Sequence, residues 1–327
     1  MTATSSTSME HHSAISNATS DPEAPTIEAI DQVLDEIDVL AGQPRSLTDL
    51  SGGLTNRNYK LTTPNGCYVV RVSPADASAL AINREHEYRN SVIAAGGGVG
   101  APVIAYLPEH RILVVGYIEG QTFTDDSFAE PGNLERVAHA CRTLHSGPRF
   151  VNDFNMFDIQ RGYLDVVREN GYRLPAGYEN YAEQVDNLRR VLAVRDEPTV
   201  ACNNDLLAGN FVDDGTQVRL IDYEYSGNND PCFELGNIWS ECHLSLDQLE
   251  VLTTAYYGHR LANKIARAQL QGLMSKYGWT LWASIQRATS SLDFDFWSWG
   301  MEKYESAAAI FGSPRFGELL DAVQRTD

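Results

Sequence analysis

Asn204-Asp205-Leu206-Leu207-Ala208-Gly209-Asn210 is followed twelve residues later by Asp222, within Leu220-Ile221-Asp222-Tyr223-Glu224. Transfer of a phosphoryl group from a nucleotide requires a carboxylate near the acceptor hydroxyl, an amide oxygen on a Mg²⁺ ion, and a second carboxylate facing the metal and phosphates. Asp205, Asn210 and Asp222 offer these three groups in that order. Between them, Phe211-Val212 and 218–221 flank Asp213-Asp214-Gly215-Thr216, a hairpin turn by composition. Taken alone, the two segments could equally be turns rich in Asp and Asn.

The upstream sequence bears on that choice. Strand-like runs at 46–50, 57–61 and 67–72 are punctuated by turns, the last by Pro64-Asn65-Gly66, and predict an antiparallel meander. A helix over 82–95 stops at Gly96-Gly97-Gly98, and 103–106 and 112–117 read as two more strands. Between the first two strands lies Ser51-Gly52-Gly53-Leu54-Thr55-Asn56-Arg57-Asn58, where small residues let backbone N–H groups approach phosphates. Arg71 sits on the third strand and Glu85 and Glu87 on the following helix, so a strand cation could pair with a helix carboxylate. Unpaired, Arg71 would be an ordinary edge-strand charge.

Preceding the meander, apolar residues at helical spacing predict a helix over 26–40, and 1–25 has too few large apolar side chains to order itself, so a disordered tail is expected. After about residue 133 the periodicity becomes helical, at 134–144, 159–169, 178–194, 246–257, 261–288 and 296–311. The expected fold class is α+β, with a small β-rich lobe (26–117) joined near 116–120 to a mainly helical lobe (118–327).

Composition narrows the function further. The 327 residues are 43% hydrophobic, enough for a large core, and 25 Lys and Arg against 44 Asp and Glu give a net charge of −19. Such a surface repels phosphate backbones and anionic lipid, which argues against nucleic acid and membrane as partners. Five scattered cysteines without a C-x-x-C pair, no apolar run approaching 18 residues and no signal-peptide pattern point to a cytoplasmic chain with reduced thiols. P-loop, dinucleotide-binding, zinc-protease and nucleophile-elbow motifs are all missing from the sequence.

From about residue 50 to 311 the sequence resembles the choline/ethanolamine kinase branch of the aminoglycoside-phosphotransferase superfamily, which shares the protein-kinase-like two-lobed fold. The matching segments are Gly52-Gly53-Leu54-Thr55-Asn56-Arg57-Asn58-Tyr59, Tyr68-Val69-Val70-Arg71-Val72, Asn83-Arg84-Glu85-His86-Glu87-Tyr88-Arg89-Asn90, 204–210 and 221–230. The resemblance implies a small-molecule kinase using ATP and Mg²⁺, with Asp205 as catalytic base, Asn210 and Asp222 as metal ligands and Arg71 on the nucleotide phosphates. It implies Glu87 as the helix partner of Arg71, Gly52, Gly53, Thr55 and Asn56 as the phosphate-side turn, and 116–118, with Tyr117 and Ile118, as the adenine-side hinge. The family places His two residues before the catalytic Asp, whereas this chain has Asn203; an Asn there keeps part of the loop-bracing hydrogen bonding and weakens the chemistry rather than excluding it.

Four of the five tryptophans lie between 279 and 299, and Trp279, Trp282 and Trp299 match the W-x-x-W and third aromatic of choline kinases. Aromatic faces hold a quaternary ammonium, which attracts ring electrons and donates no hydrogen bonds; rings at helical spacing are also ordinary core. Glu224, Glu241 and the segment Glu234-Leu235-Gly236-Asn237 complete the resemblance near the acceptor pocket, though each carboxylate could instead be a helix-surface charge. The expectation is a phosphotransferase acting on the hydroxyl of a small amino alcohol such as choline. An aminoglycoside or other hydroxylated-amine kinase, and a quaternary-amine-binding relative weakened at Asn203, are the alternatives.

Overall fold

The computed structural model describes residues 25–50, 53–74, 78–195 and 197–326. Of the expected tail only Pro25 is described, and Gly52 also lies outside the described residues.

β1 (Ser46–Leu50), β2 (Arg57–Thr63), β3 (Gly66–Val72), β4 (Val103–Leu107) and β5 (Ile112–Gly116) form one antiparallel sheet in the order β1-β2-β3-β5-β4. Alternation along the strands turns Tyr59, Leu61, Val70, Val72, Ile112 and Val114 to one face, where they pack against Ile30, Leu34 and Leu40. Arg71, between Val70 and Val72, therefore points to the other face, which helix α2 (Arg84–Gly96) covers.

The expected helix over 26–40 is shorter. α1 (Ile27–Val33) passes into a 3₁₀ turn at Leu34–Glu36. Arg45 donates to Asp31 Oδ1, Asp35 Oδ1 and the Leu40 carbonyl, a clamp from beyond the segment that bends the chain back on itself.

The helical half contains α3 (Asn133–His145), α4 (Met156–Glu169), α5 (Ala182–Val194), α6 (Pro231–Glu241), α7 (Leu246–Tyr257), α8 (Ala262–Thr289), α9 (Phe296–Phe311) and α10 (Pro314–Val323). Residues 178–181, expected within a helix, form a separate 3₁₀ turn, Tyr178–Tyr181. Helical periodicity marks neither of two further helices. α6 begins with Asp230 capping Cys232 N–H and Pro231 in the first turn, but it is buried on nearly every side, so no polar stripe marks it. α10 also starts at a proline, Pro314.

Short strands β6 (Gln121–Thr122), β7 (Val200–Cys202), β8 (Phe211–Asp213), β9 (Val218–Leu220) and β10 (Gly227–Asn229) form a three-stranded sheet, β6-β8-β9, and the pair β7-β10. They carry the loops on which the sequence motif falls.

The 28-residue α8 is the axis of this half, and α6 crosses it at Gly236 and Gly272. A Cβ on Gly236 would lie 2.1 Å from the Ala268 carbonyl oxygen and 2.6 Å from Gly272 N, so the two backbones are in contact and only glycine fits. That crossing sets Asn237 of α6 against Trp279 of α8, whose Nε1 donates to Asn237 Oδ1 at 3.4 Å. No helix among the described residues is long and apolar enough to cross a membrane.

Candidate active site

β7 delivers the chain into the loop 203–210. Asn204 adopts φ +68°, rare for a residue with a Cβ, and its side chain compensates by donating to the carbonyls of Cys202, Tyr225 and Gly227 while accepting from Asn229 Nδ2. From α6, the fully buried Glu234 accepts the N–H groups of Asn203 at 2.9 Å and Asn204 at 2.7 Å. Glu234 is thus an anchor of the loop and no surface charge.

Asn203 is also fully buried and does not reach the cleft. Its Nδ2 donates to the carbonyls of Ile221 (3.1 Å) and Asp222 (2.8 Å), and its Oδ1 accepts the Asp205 N–H at 3.1 Å. One amide therefore ties the Asp205 loop to the Asp222 loop. Asn210 Nδ2 donates to the Asp205 carbonyl at 2.7 Å, which closes the loop and leaves the amide oxygen to other partners.

Asp222 follows β9 at φ +62°. Its Oδ1 accepts from Arg71 Nη1 at 2.6 Å, and the same nitrogen donates to Glu87 Oε1 at 2.7 Å, so the expected strand-to-helix pair is present and extends to Asp222. Glu85, the other helix carboxylate, is exposed and pairs with Arg89. Arg84 joins the network without having been singled out by the sequence. Its Nη1 donates to Glu87 Oε2 (2.7 Å) and Glu224 Oε2 (3.1 Å), and Asn56 Nδ2 donates to the same Glu224 oxygen at 2.8 Å. Glu224 thereby fastens the sheet half to the helical half.

Electrostatics follow from this arrangement. Burial works against the Arg71 charge, but Asp222 and Glu87 more than offset it and hold its pKa above the ordinary value. Burial, with the charge of Asp222, lifts Glu224 to about 7 against the partial opposition of Arg84. Asp205 is raised well above the usual carboxylate range by burial and by its acidic neighbours Asp222, Glu224 and Glu241. No side chain among the described residues bonds to its carboxylate, which faces the cleft.

The cleft, open to solvent, is lined on one side by Gly53, Thr55 and Asn56 of the turn before β2, and at its base by Asp205, Asn210, Asp222 and Glu224. Its far wall carries Glu241, Trp279, Trp282 and Trp299. Trp279 and Trp282 belong to the buried core and line the cleft at once, so the core and cleft readings both hold for them. Tyr225, another wall residue that the sequence reading passed over, accepts from Trp282 Nε1 at 2.9 Å and meets the Trp279 ring edge-on at 4.9 Å. Trp282 and Trp299 are likewise edge-on, 5.4 Å apart. Tyr117 and Ile118 stand at the exit of β5 and do not line this cleft; Tyr117 N–H bonds the Cys67 carbonyl at 3.0 Å and its ring lies 3.7 Å from Lys60 Nζ.

The choline/ethanolamine kinase family profile matches residues 47–260, which include the glycine turn, both loops and α6. The protein LicA of Haemophilus influenzae is 26% identical over 249 residues, covering 72% of each chain. Ethanolamine kinase 2 of Rattus norvegicus is 26% identical over 307 residues, covering 80% of this chain and 79% of that one. The crystal structure of a choline/ethanolamine kinase family protein from Mesorhizobium loti superposes with a TM-score of 0.79 at 32% identity, over 91% of this chain and 98% of that one. A site that combines the kinase loop pair with an aromatic wall is therefore borne by a chain matched along most of its length, and the chain belongs to the choline/ethanolamine kinase family, as a kinase-type phosphotransferase.

Proposed function

We propose that this chain transfers the γ-phosphoryl group of ATP to the hydroxyl of choline. The observation that carries the choice of substrate is the wall of Trp279, Trp282, Trp299 and Tyr225 in the same cleft as Asp205. Ring faces suit a cation that spreads its charge over methyl groups and donates no hydrogen bond, and a cation held there would leave the other end of the substrate to Asp205. The hydroxyl end then lies at Asp205.

Asp205 accepts the hydroxyl proton as the oxygen attacks the γ-phosphorus and the bond to the β-phosphate oxygen breaks. Asn210 and Asp222 supply hard oxygen donors, the type Mg²⁺ prefers, and each has one oxygen unclaimed by the contacts above. The residues fit the ion, whose contribution would be to neutralise charge developing on the phosphates. Arg71, held by Glu87, is placed for the nucleotide phosphates, with Gly53, Thr55 and Asn56 above them and Tyr117 and Ile118 on the adenine side. On this reading 26–117 serve the nucleotide and 118–327 the catalytic loops and the amine.

The completeness of the Asn203 brace supports turnover rather than a silent binding role. ATP consumption across choline, ethanolamine and an aminoglycoside tests the proposal. Choline should give the highest kcat/KM; an aminoglycoside that outperforms both small alcohols would refute it.

A further inference from the structure

Glu241 lines the cleft, yet both of its oxygens are already held by its own chain. Lys303 Nζ of α9 donates to Oε2 at 2.6 Å, and Ser240 Oγ donates to Oε1 at 3.1 Å. The side chains of the ion pair are 9% and 7% exposed, Lys303 first. The same Nζ lies 4.0 Å from the centroid of the Trp299 ring, so one cation braces two members of the amine wall. The nearby Lys276 is directed elsewhere, to Ser306 Oγ at 3.0 Å and over the Trp239 ring.

At the base of the cleft Glu224 and Asp222 are each held through one oxygen only. Glu224 holds Asn56 and Arg84, and Asp222 holds Arg71. Asp205 has no side-chain partner among the described residues, and the proposed reaction assigns it to the hydroxyl. Beside Trp299 the cleft therefore offers ring faces and one carboxylate, Glu241, whose two oxygens both already accept a hydrogen bond. A trimethylammonium group needs no acceptor, whereas a primary ammonium brings three N–H donors out of water and loses free energy for each one left unpaired.

We propose that Lys303 is a specificity-determining residue: by occupying Glu241 it makes the pocket select a fully methylated ammonium over a primary one. The proposal rests on the amino-alcohol kinase reading given above. Released from Lys303, Glu241 would offer hydrogen-bond acceptors to the substrate, and a primary amine would gain more from them than a quaternary one.

The test compares the full-length parent with Lys303→Met, Lys303→Gln and the double variant Lys303→Met/Glu241→Met. Each is assayed for kcat/KM with choline and with ethanolamine, and for binding of tetramethylammonium and methylammonium by tryptophan fluorescence. The parent should favour the methylated member of each pair. Lys303→Met should shift both ratios at least tenfold toward the primary amine, Lys303→Gln should shift them in the same direction, and the double variant should abolish the shift because the acceptor is gone. Should Lys303→Met fail to fold, Lys303→Gln decides. A parent that binds methylammonium in preference to tetramethylammonium overturns the proposal, as does a Lys303 variant in which both members of each pair change by the same factor. If the parent phosphorylates neither alcohol, the functional reading fails, and the binding ratios still decide the role of Lys303.

Discussion

Replacing Asn203 with Ala removes three part-buried hydrogen bonds at once: two from Nδ2 to the carbonyls of Ile221 and Asp222, and one from the Asp205 N–H to Oδ1. At roughly 0.5–1.5 kcal/mol for each net bond, the expected loss of stability is about 3 kcal/mol. The two loops then lose their common tie. A displacement of Asp205 by about 1 Å costs on the order of 100-fold in rate, so kcat should fall by about that factor while the KM values for nucleotide and amine change little, because Asn203 touches neither. Asn203→Asp should be no better, since a carboxylate presents only acceptors to two carbonyl oxygens. Asn203→His should stay within about threefold of the parent, because the amide already makes the bonds that hold the loop. Urea titration measures the first quantity and steady-state ATP consumption at saturating amine the second. An Ala variant that loses stability but keeps full kcat would refute the argument that the brace positions the base.

The remaining predictions concern the groups around that base. Asp205→Asn should lower kcat by about 10²–10⁴-fold with Mg²⁺-nucleotide affinity preserved, whereas Asp222→Asn should also weaken nucleotide binding; calorimetry with a non-hydrolysable nucleotide separates them, and equal losses of affinity would undo the assignment. Trp299→Leu should raise the KM for choline by about 5- to 30-fold, equivalent to about 1–2 kcal/mol, with a smaller effect on ethanolamine, and proportional loss of both would reduce the ring to a packing element. Because burial lifts Glu224 to about 7, the folded protein keeps a proton that the unfolded chain releases near its ordinary value of about 4.3. The corresponding stability is complete below the unfolded pKa and is lost as pH rises through about 7, at up to about 1.4 kcal/mol per pH unit. Urea titrations of nucleotide-free protein at several pH values should show this slope diminished by Glu224→Gln; a slope identical to the parent's would place the proton elsewhere.

What the sequence made legible was local. Alternation of apolar residues and the Pro64-Asn65-Gly66 turn marked β2 and β3, and the spacing from Asp205 through Asn210 to Asp222 identified the two loops that the cleft brings together. The illegible parts depend on partners distant in the chain. Arg45 ends the first helix early through Asp31 and Asp35, a contact that helical periodicity does not encode. Arg84 looks like a helix-start charge until Glu224, 140 residues on, is folded against it. Lys303 and Glu241 each look like surface charges when read on their own helices, and only the packing of α6 and α9 on α8 buries them together. The amphipathic signal fails for α6 for the same reason, since a helix enclosed on nearly all sides has no polar face to display.

The contact between Gly236 and Gly272 bears on how this pocket could change over evolutionary time. Two backbones already touching cannot draw closer, and a side chain on either glycine would force them apart and carry Asn237 away from Trp279 of α8. One wall is therefore fixed in depth. Bulkier or smaller acceptors must be accommodated by the part of the wall that α9 supplies, Trp299, and by the segment leading into that helix. Libraries intended to retarget the enzyme should place their diversity there and leave the glycine crossing untouched.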